Sequence, residues 1–259
     1  GCSGILCSRT PQDFKKLSFR IFRNLRTRPA DASFCGNNQI HRSLPRRTIL
    51  KSQDIKNCMN FNNKAQTYDQ NAELQRTSSD RLFSSLCSRE KTDFIRILEI
   101  GCGTGYLSRK LIKKYPHAQI HALDISSKML EESQLSSFPQ IQTILADAES
   151  YTPDEPYDLI ISNLSFQWFN DQVEAIDKYK KLLLPNGKLY INTLVDGSYQ
   201  DFIRAFEDNK IRYSGLHYLK TIDFQTALDK GDHLFEYPLI EKFPNTQAFL
   251  KKLHAIGAK

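Results

Sequence analysis

The feature that most constrains this chain is the stretch RILEIGCGTGYLSRKL, residues 96–111, where a short apolar run meets three glycines and then an amphipathic pattern. The apolar run predicts a buried strand, the glycines predict a tight turn, and the rest predicts the start of a helix. This is the βαβ arrangement in which a nucleotide-containing cofactor lies over a glycine-rich turn.

Strand and helix patterns alternate on either side of this turn. The predicted strands are FIRILEI, QIHALDI, IQTILAD, YDLIISNL and KLYINTL, and the predicted helices are Ala65 to Leu86, YLSRKLIKKY, SSKMLEESQLSSF (with a serine N-cap) and DQVEAIDKYKKLLL. Strands rich in Ile and Leu that alternate with helices predict an α/β, Rossmann-like parallel sheet with helices on both faces. The alternation ends at Leu194, and residues 198–259 predict mainly helix and loop.

The glycine spacing narrows the choice of cofactor. Tyr106 stands where a dinucleotide fingerprint needs its third glycine, and no Lys-Ser or Lys-Thr pair follows to grip phosphates, which excludes a P-loop. Glu99 precedes the turn, and its carboxylate would repel a pyrophosphate by about 1–4 kcal/mol at 4 Å. The same carboxylate suits a ligand with an amino group and no phosphate, which indicates S-adenosyl-L-methionine.

Further polar residues fall at the predicted strand ends. Asp124 ends the second strand, where it can accept hydrogen bonds from both ribose hydroxyls. Asp147 is placed to accept the adenine amino group and Asn163 to lie beside the methyl group, whereas Met129 either covers the adenine or is plain core. The predicted cofactor-binding set is Glu99, Gly101, Gly103, Gly105, Asp124, Ile125, Met129, Asp147, Ala148 and Asn163.

The basic character of the chain belongs to its first part. The net charge is +7 for the whole chain and +9 for residues 1–56, which leaves −2 for the rest. We interpret residues 1–58 as a poorly ordered basic extension in which FKKLSFRIFRNLRTRP could form one short amphipathic helix. A nucleic-acid arm, a membrane-surface helix and a transit peptide are the alternatives. Periodic sequence begins near Met59, which we take as the start of the functional domain.

Composition excludes several classes of protein. Hydrophobic residues make up 40% and charged residues 25% of the chain, as in soluble globular proteins, and no apolar run is long enough for a membrane span. The six cysteines form no CxxC pair and no metal-ligand spacing, so we expect reduced thiols, a cytoplasmic location and no metal. We expect neither nucleic acid nor a membrane as a partner.

Longer stretches carry a family resemblance over residues 59–256. They are NKAQTYDQNAELQR, LEIGCGTGYLS, ALDISSKML, LADAES, YDLIISNLSFQWF, LPNGKLYINTLVDGSYQDF, GLHYLK and LKKLHAIGA. With them the chain resembles the malonyl-acyl-carrier-protein O-methyltransferases of biotin synthesis, in the class I methyltransferase superfamily. The resemblance implies methylation of the free carboxylate of a malonyl thioester, on acyl carrier protein or coenzyme A. This masks the charge, so that fatty-acid elongation enzymes accept the product as a primer.

That reaction requires positioning rather than proton transfer. A carboxylate is already ionised at pH 7, so no general base is expected. The residues expected to position the substrate are Tyr68, Gln167, Trp168, His217 and Tyr218. Four basic residues, Arg204, Lys210, Arg212 and Lys220, are either a docking patch for an acidic carrier protein or scattered solvated side chains.

The chain departs from the superfamily at its end. The resemblance implies two further strands after a lid, and the chain stops at Lys259 before them. The predicted units are the extension 1–58, a cofactor-binding core 59–195 with its N-terminal helix, and a truncated lid 196–259. Strand five would then be an open edge, unless another segment or a second copy covers it.

Alternative functions remain open at this point. They are a methyltransferase for another small acceptor, a nucleic-acid methyltransferase guided by the basic segment, and a truncated remnant with little activity. A dehydrogenase is disfavoured by Tyr106 and Glu99.

Overall fold

The computed structural model describes residues 17–27, 61–213 and 215–257. The strands are β1 Leu17–Thr27, β2 Arg96–Ile100, β3 Gln119–Asp124, β4 Ile141–Leu145, β5 Tyr157–Asn163, β6 Leu183–Leu194 and β7 His233–Glu241. The helices are α1 Ala65–Asn71, α2 Glu73–Arg89, α3 Tyr106–Lys114, α4 Ser127–Ser133, α5 Gln172–Lys181, α6 Gln200–Asp208, α7 Thr221–Phe224 and α8 Thr246–Ala255. Short 3₁₀ turns lie at Leu135–Ser137, Phe166–Trp168 and Gln225–Ala227.

The seven strands form one sheet in the order β4-β3-β2-β5-β6-β1-β7. Strands β2 to β6 pair in parallel, and β1 pairs antiparallel with both β6 and β7. The strands rich in Ile and Leu are joined by helices because parallel pairing requires a crossover connection. The carboxyl ends of β2, β3, β4 and β5 therefore meet along one edge.

Helices cover both faces of this sheet. Successive side chains of β2 point to opposite faces, so Ile97 packs with Leu82 of α2 and Leu111 of α3, while Leu98 packs with Ile176 of α5. The predicted α/β fold, its five strands and the serine N-cap of α4 are confirmed, the cap by Ser126 accepting from the Met129 backbone N–H.

Four local predictions are wrong. The first part of the chain contributes the strand β1, not a helix, and this strand pairs with β6. The expected open edge of β6 is thus covered within the sheet. Residues 233–241 form β7 in a segment predicted as helix and loop, and the single long helix from Ala65 is two helices divided at Ala72. The last central helix ends at Lys181, and β6 already begins at Leu183.

Pairing between distant segments explains the errors at the two outer strands. A strand such as β1 is stabilised by neighbours more than 160 residues away, so local spacing alone does not reveal it. Pro238 lies within β7, and a proline normally argues against a strand. It is tolerated because β7 lies at the edge of the sheet, where a backbone donor can be missing. Met59 and most of residues 1–58 lie outside the described residues.

Candidate active site

A pocket lies where the parallel strands end, and we name it the strand-end pocket. Its volume is about 120 Å³, and the predicted residues that line it are Tyr68, Gly101, Gly103, Asp124, Ile125, Met129, Asp147, Ala148, Asn163 and Trp168. They come from the ends of β2, β3, β4 and β5 and from the helix and turn beside them. Open α/β sheets bind ligands at this edge.

Asp124 is held rigidly at the centre of the strand-end pocket. Its two carboxylate oxygens accept backbone N–H bonds from Gly103 and Ser126, both at 2.8 Å. Burial raises the pKa of Asp124, and these two hydrogen bonds counteract the rise. The Ile125 N–H is a third backbone donor to this carboxylate. A carboxylate offers about four lone-pair sites, so the side chain keeps capacity to accept from a ligand hydroxyl.

Side-chain-to-backbone hydrogen bonds also order two other parts of the strand-end pocket, at α4 and after β4. The buried Met129 lies in the first turn of α4, and its N–H donates to the Ser126 hydroxyl at 3.1 Å. Asp147 follows β4 and accepts the Glu149 N–H at 2.9 Å, which closes a turn over Ala148. An apolar side chain and a carboxylate therefore face the same space, as an adenine ring with its amino group requires.

A second opening, the polar cleft, continues from the strand-end pocket beneath α2. It is lined by Glu99, Gln75, Arg76, Ser79 and Thr104 among others, and it shares Tyr68, Gly101, Gly103 and Asn163 with the strand-end pocket. Glu99 is 2% exposed and accepts a hydrogen bond from the Ser108 hydroxyl. Burial raises the pKa of Glu99 to about 8, with the nearby Asp124 adding to the rise and the Ser108 bond opposing it.

The polar cleft also contains buried oxygen atoms without partners in the described part of the chain. They are the Gln75 Oε1 and the Ser79 Oγ, which lie one helical turn apart on α2. Leaving such a group unpaired costs about 1–3 kcal/mol, so a ligand with several N–H donors is favoured here. The amino group of S-adenosyl-L-methionine provides them, and a pyrophosphate does not. The residues present therefore fit this cofactor.

Arg76 is a residue that our sequence reasoning did not single out. It lies on α2, lines the polar cleft beside Gly101, and donates from Nη1 to the Asp69 carbonyl oxygen. A guanidinium at this place is suited to a carboxylate of the ligand. The only signal in the sequence was its position at the end of the stretch NKAQTYDQNAELQR.

A third opening, the aromatic cavity, is larger than the strand-end pocket and the polar cleft, at about 480 Å³. It is bounded by α2, the Phe166–Trp168 turn, α6, the segment around Tyr218 and α8. Its walls include Tyr199, Phe202, Phe206 and Tyr213, of which Phe202 and Phe206 pack edge-to-face with 5.1 Å between ring centroids. These four residues were not predicted, because they lie in residues 198–259, where the sequence indicated only helix and loop and no motif.

Four residues line both the strand-end pocket and the aromatic cavity: Phe61, Tyr68, Leu164 and Trp168. The Phe61 and Trp168 rings pack edge-to-face, with centroids 5.4 Å apart. Tyr68 lines the polar cleft as well, so it lies where all three openings meet. Burial raises the pKa of the Tyr68 hydroxyl, chiefly by desolvation, and therefore keeps it protonated as a donor.

The remaining predicted residues are placed differently. Gly105 lines none of the three openings and instead packs against Leu135, with a φ of 81°. His217 is exposed and packs edge-to-face on Tyr213, whereas Tyr218 lines the aromatic cavity. The four basic residues of the proposed docking patch, Arg204, Lys210, Arg212 and Lys220, are all exposed.

The side chains of Asn163 and Gln167 form hydrogen bonds to other residues of the protein. The Asn163 amide accepts from the Ser78 hydroxyl at 2.7 Å and donates to the Gln75 carbonyl at 3.1 Å, which ties β5 to α2. Gln167 lines the aromatic cavity and donates from Nε2 to the Leu164 carbonyl at 2.7 Å. Both residues position the walls of the site.

Two kinds of feature are absent from the described residues. No group of three or more His, Cys, Asp or Glu side chains among them is arranged to hold a metal ion. None of the helices in the same part of the chain is long and apolar enough to cross a bilayer.

Comparison with known proteins assigns the chain to a family. Residues 97–187 match a family described as "Methyltransferase domain". The chain is 36% identical over 216 residues to the malonyl-[acyl-carrier protein] O-methyltransferase of Priestia megaterium, covering 76% of this chain and 79% of the relative. It is 34% identical over 206 residues to malonyl-[acyl-carrier protein] O-methyltransferase 1 of Ilyobacter polytropus, covering 77% and 76%.

Among solved structures, the plantazolicin methyltransferase BpumL in complex with SAH is similar with a TM-score of 0.49 and 18% identity, covering 68% of this chain and 74% of that one. The matches to the Priestia and Ilyobacter relatives exceed 30% identity and cover more than two thirds of each relative, which establishes the family of this chain. The chain belongs to the malonyl-[acyl-carrier protein] O-methyltransferases, a family of methyltransferases that use S-adenosyl-L-methionine.

Proposed function

We propose that this chain transfers a methyl group from S-adenosyl-L-methionine to the free carboxylate of a malonyl thioester carried by acyl carrier protein. The methyl ester would then prime the pimeloyl chain of biotin synthesis, as the family resemblance implies. Two observations support the substrate: the names of the relatives, and the junction at Tyr68, Leu164 and Trp168 between the strand-end pocket and the aromatic cavity. This junction carries the proposal, because it allows a cofactor and an acceptor to meet.

The polar cleft would hold the methionine part of the cofactor. Glu99, the Gln75 Oε1 and the Ser79 Oγ would accept hydrogen bonds from its amino group, and Arg76 would pair with its carboxylate. An amino group beside Glu99 stabilises the ionised carboxylate and lowers its raised pKa. When bound, the cofactor supplies a methyl group on a positively charged sulfur, and transfer of that group leaves neutral S-adenosylhomocysteine.

The strand-end pocket would hold the adenosine. Asp124 would accept hydrogen bonds from the ribose hydroxyls, and Asp147 would accept from the adenine amino group beside Ala148. Ile125 and Met129 would pack against the ring faces. The backbone of Gly101 and Gly103 leaves room for close approach of the ligand.

The aromatic cavity would hold the acceptor. One carboxylate oxygen of the acceptor would lie in line with the methyl group that the bound cofactor supplies, at the junction formed by Tyr68, Leu164 and Trp168. No proton moves, because a carboxylate is already ionised near pH 7. Alignment of the two reactants can supply about 7–11 kcal/mol. In this scheme Tyr68, Trp168 and Tyr218 donate hydrogen bonds to the acceptor, while Gln167 and Asn163 fix the walls that align it.

The test is a methyl-transfer assay with the full chain, isotope-labelled S-adenosyl-L-methionine and malonyl-acyl carrier protein. We expect an alkali-labile methyl ester on the malonyl group. Acetyl-acyl carrier protein, which lacks the free carboxylate, is the control and should remain unlabelled. Malonyl-coenzyme A in the same assay shows whether the enzyme requires the carrier protein or recognises the malonyl group alone. A folded chain that binds S-adenosylhomocysteine yet labels no malonyl substrate would contradict the proposal.

A further inference from the structure

The aromatic cavity has an unusual lining for a site that would take an anion. Among the described residues that line it there is no Lys, Arg, Asp or Glu. The one imidazole in the described lining is that of His254 on α8. A carboxylate that enters such a cavity exchanges water for aromatic and aliphatic walls.

Hydrogen-bond donors are nevertheless present in the aromatic cavity. The Tyr68 hydroxyl, the Trp168 indole N–H and the Tyr218 hydroxyl line it, and none of them has a hydrogen-bond partner within the described part of the chain. Tyr218 stacks on Tyr199 with ring centroids 6.1 Å apart, which fixes the ring. Burial raises the pKa of both Tyr68 and Tyr218, so both remain protonated donors at neutral pH.

Uncharged donors do not replace a counter-charge. Moving a carboxylate out of water into apolar surroundings is costly unless the charge is both hydrogen-bonded and paired with an opposite charge. The described lining supplies hydrogen-bond donors but has no Lys or Arg to pair with the carboxylate. The cavity opens at Tyr68 and Trp168 onto the strand-end pocket, which is where the cofactor would bring a positive charge.

We propose that the aromatic cavity binds a carboxylate acceptor only beside a positively charged cofactor, because Tyr68, Trp168 and Tyr218 supply hydrogen bonds and the described lining has no Lys or Arg to supply the counter-charge. The inference rests on the proposed function. A fixed Lys or Arg would stabilise the separated charges of the reactants more than the transition state, in which both charges disappear, and would slow the transfer. The same lining favours release of the products, since the ester and S-adenosylhomocysteine have no opposite charges at the reacting centre.

The test measures binding rather than turnover. The full chain is loaded either with sinefungin, which has a cationic amine in place of the methylated sulfur, or with S-adenosylhomocysteine. Each complex is titrated with malonyl-acyl carrier protein and with its methyl ester. We expect malonyl-acyl carrier protein to bind the sinefungin complex at least about tenfold more tightly than the S-adenosylhomocysteine complex. The methyl ester should discriminate between the two complexes by less than about twofold.

The outcomes separate this inference from the proposed function. Equal affinity of malonyl-acyl carrier protein for both complexes would overturn the inference and leave the substrate intact. Binding to neither complex by a folded chain would overturn both.

A Tyr→Phe variant and its matched control test whether the Tyr218 hydroxyl donates a hydrogen bond to the acceptor. Tyr218→Phe should weaken binding of malonyl-acyl carrier protein to the sinefungin complex by about threefold to tenfold, because a hydrogen bond to a charged group is lost. Tyr115→Phe is the matched control, since this tyrosine is also buried but packs on Phe94 in another part of the core. If Tyr218→Phe binds as tightly as Tyr115→Phe, Tyr218 is not a donor to the acceptor and the inference fails in that part.

Discussion

The side-chain amide of Gln167 donates a hydrogen bond of 2.7 Å to the carbonyl oxygen of Leu164, and Leu164 has a φ of 53°. The left-handed backbone conformation costs a leucine about 1–2 kcal/mol. Leu164 lies between the strand-end pocket and the aromatic cavity, directly after β5. Gln167 therefore stabilises a strained residue at the place where the two reactants would meet.

Removal of this hydrogen bond should impair positioning more than stability. We expect Gln167→Ala to lower the free energy of unfolding by about 1–3 kcal/mol and to raise the KM for the acceptor. Gln167→Glu should behave no better, since a carboxylate has no N–H to donate. Urea unfolding and steady-state kinetics measure the two effects, and the double variant Gln167→Ala with Leu164→Gly should recover stability without recovering the KM. A fully active Gln167→Glu variant would contradict this role.

Gly101 should not tolerate a side chain. It has a φ of 68°, and a Cβ atom would lie against the Ser165 hydroxyl and 2.6 Å from the Ser165 Cβ. We expect Gly101→Ala to destabilise the fold by about 1–3 kcal/mol and to weaken S-adenosylhomocysteine binding at least tenfold. Calorimetric titration and thermal unfolding measure these effects.

Gly103 provides the matched control for Gly101. Its φ is 53°, but a Cβ there would meet nothing within 4 Å. Gly103→Ala should therefore show the conformational cost of about 1–2 kcal/mol without the steric clash. Adding Ser165→Gly to Gly101→Ala should restore part of the lost stability, and no restoration would show that the clash is not the cause.

Glu99 should make the stability of the ligand-free protein depend on pH. Its folded pKa of about 8 lies above the ordinary value of 4.5, so the folded state holds a proton that the unfolded state has released. The free energy of unfolding should therefore fall as the pH rises from about 4.5 to about 8, by about 1.4 kcal/mol for each unit of pKa difference. Urea unfolding at pH 5, 6.5 and 8 measures this slope.

The variant Glu99→Gln tests whether Glu99 causes the pH dependence of stability. The variant should show a smaller slope than the parent chain, and near pH 8 it should be the more stable of the two. Asp124, whose pKa is also raised by burial, contributes in the same direction in both proteins. The variant should also bind S-adenosylhomocysteine at least tenfold more weakly, because the amino group loses its carboxylate. An unchanged slope would assign the pH dependence to other groups.

The sequence predicts those site residues that lie at strand ends, and it does not predict those that the packing of helices brings to the site. The position of Asp124 and Asp147 in the strand-end pocket was predictable, because Asp124 ends a strand, Asp147 follows one, and the carboxyl ends of parallel strands converge. Gln75 and Ser79 were not, since only the packing of α2 over the polar cleft leaves their oxygen atoms unpaired. The aromatic cavity was predicted only in part. Its lining includes the predicted Tyr68, Gln167, Trp168 and Tyr218, whereas the walls contributed by α6 and α8 were not foreseen.

The strand β1 gives a direct test of the fold, because the same segment was predicted to be a poorly ordered extension. Asn24 pairs with Ile191 of β6 on one side and with Leu234 of β7 on the other. A proline in the middle of a sheet removes a ladder hydrogen bond and leaves its acceptor unpaired, which costs about 1–3 kcal/mol. We therefore expect Asn24→Pro to lower the free energy of unfolding by about that amount.

Asn24→Ala is the matched control, because it keeps the backbone N–H and changes only the side chain. It should leave the unfolding free energy within about 1 kcal/mol of the parent chain. The difference between the two variants in urea unfolding isolates the backbone pairing of β1. If Asn24→Pro unfolds at the same urea concentration as Asn24→Ala, β1 does not pair with β6 and β7 in solution, and the edge of β6 must be covered in another way.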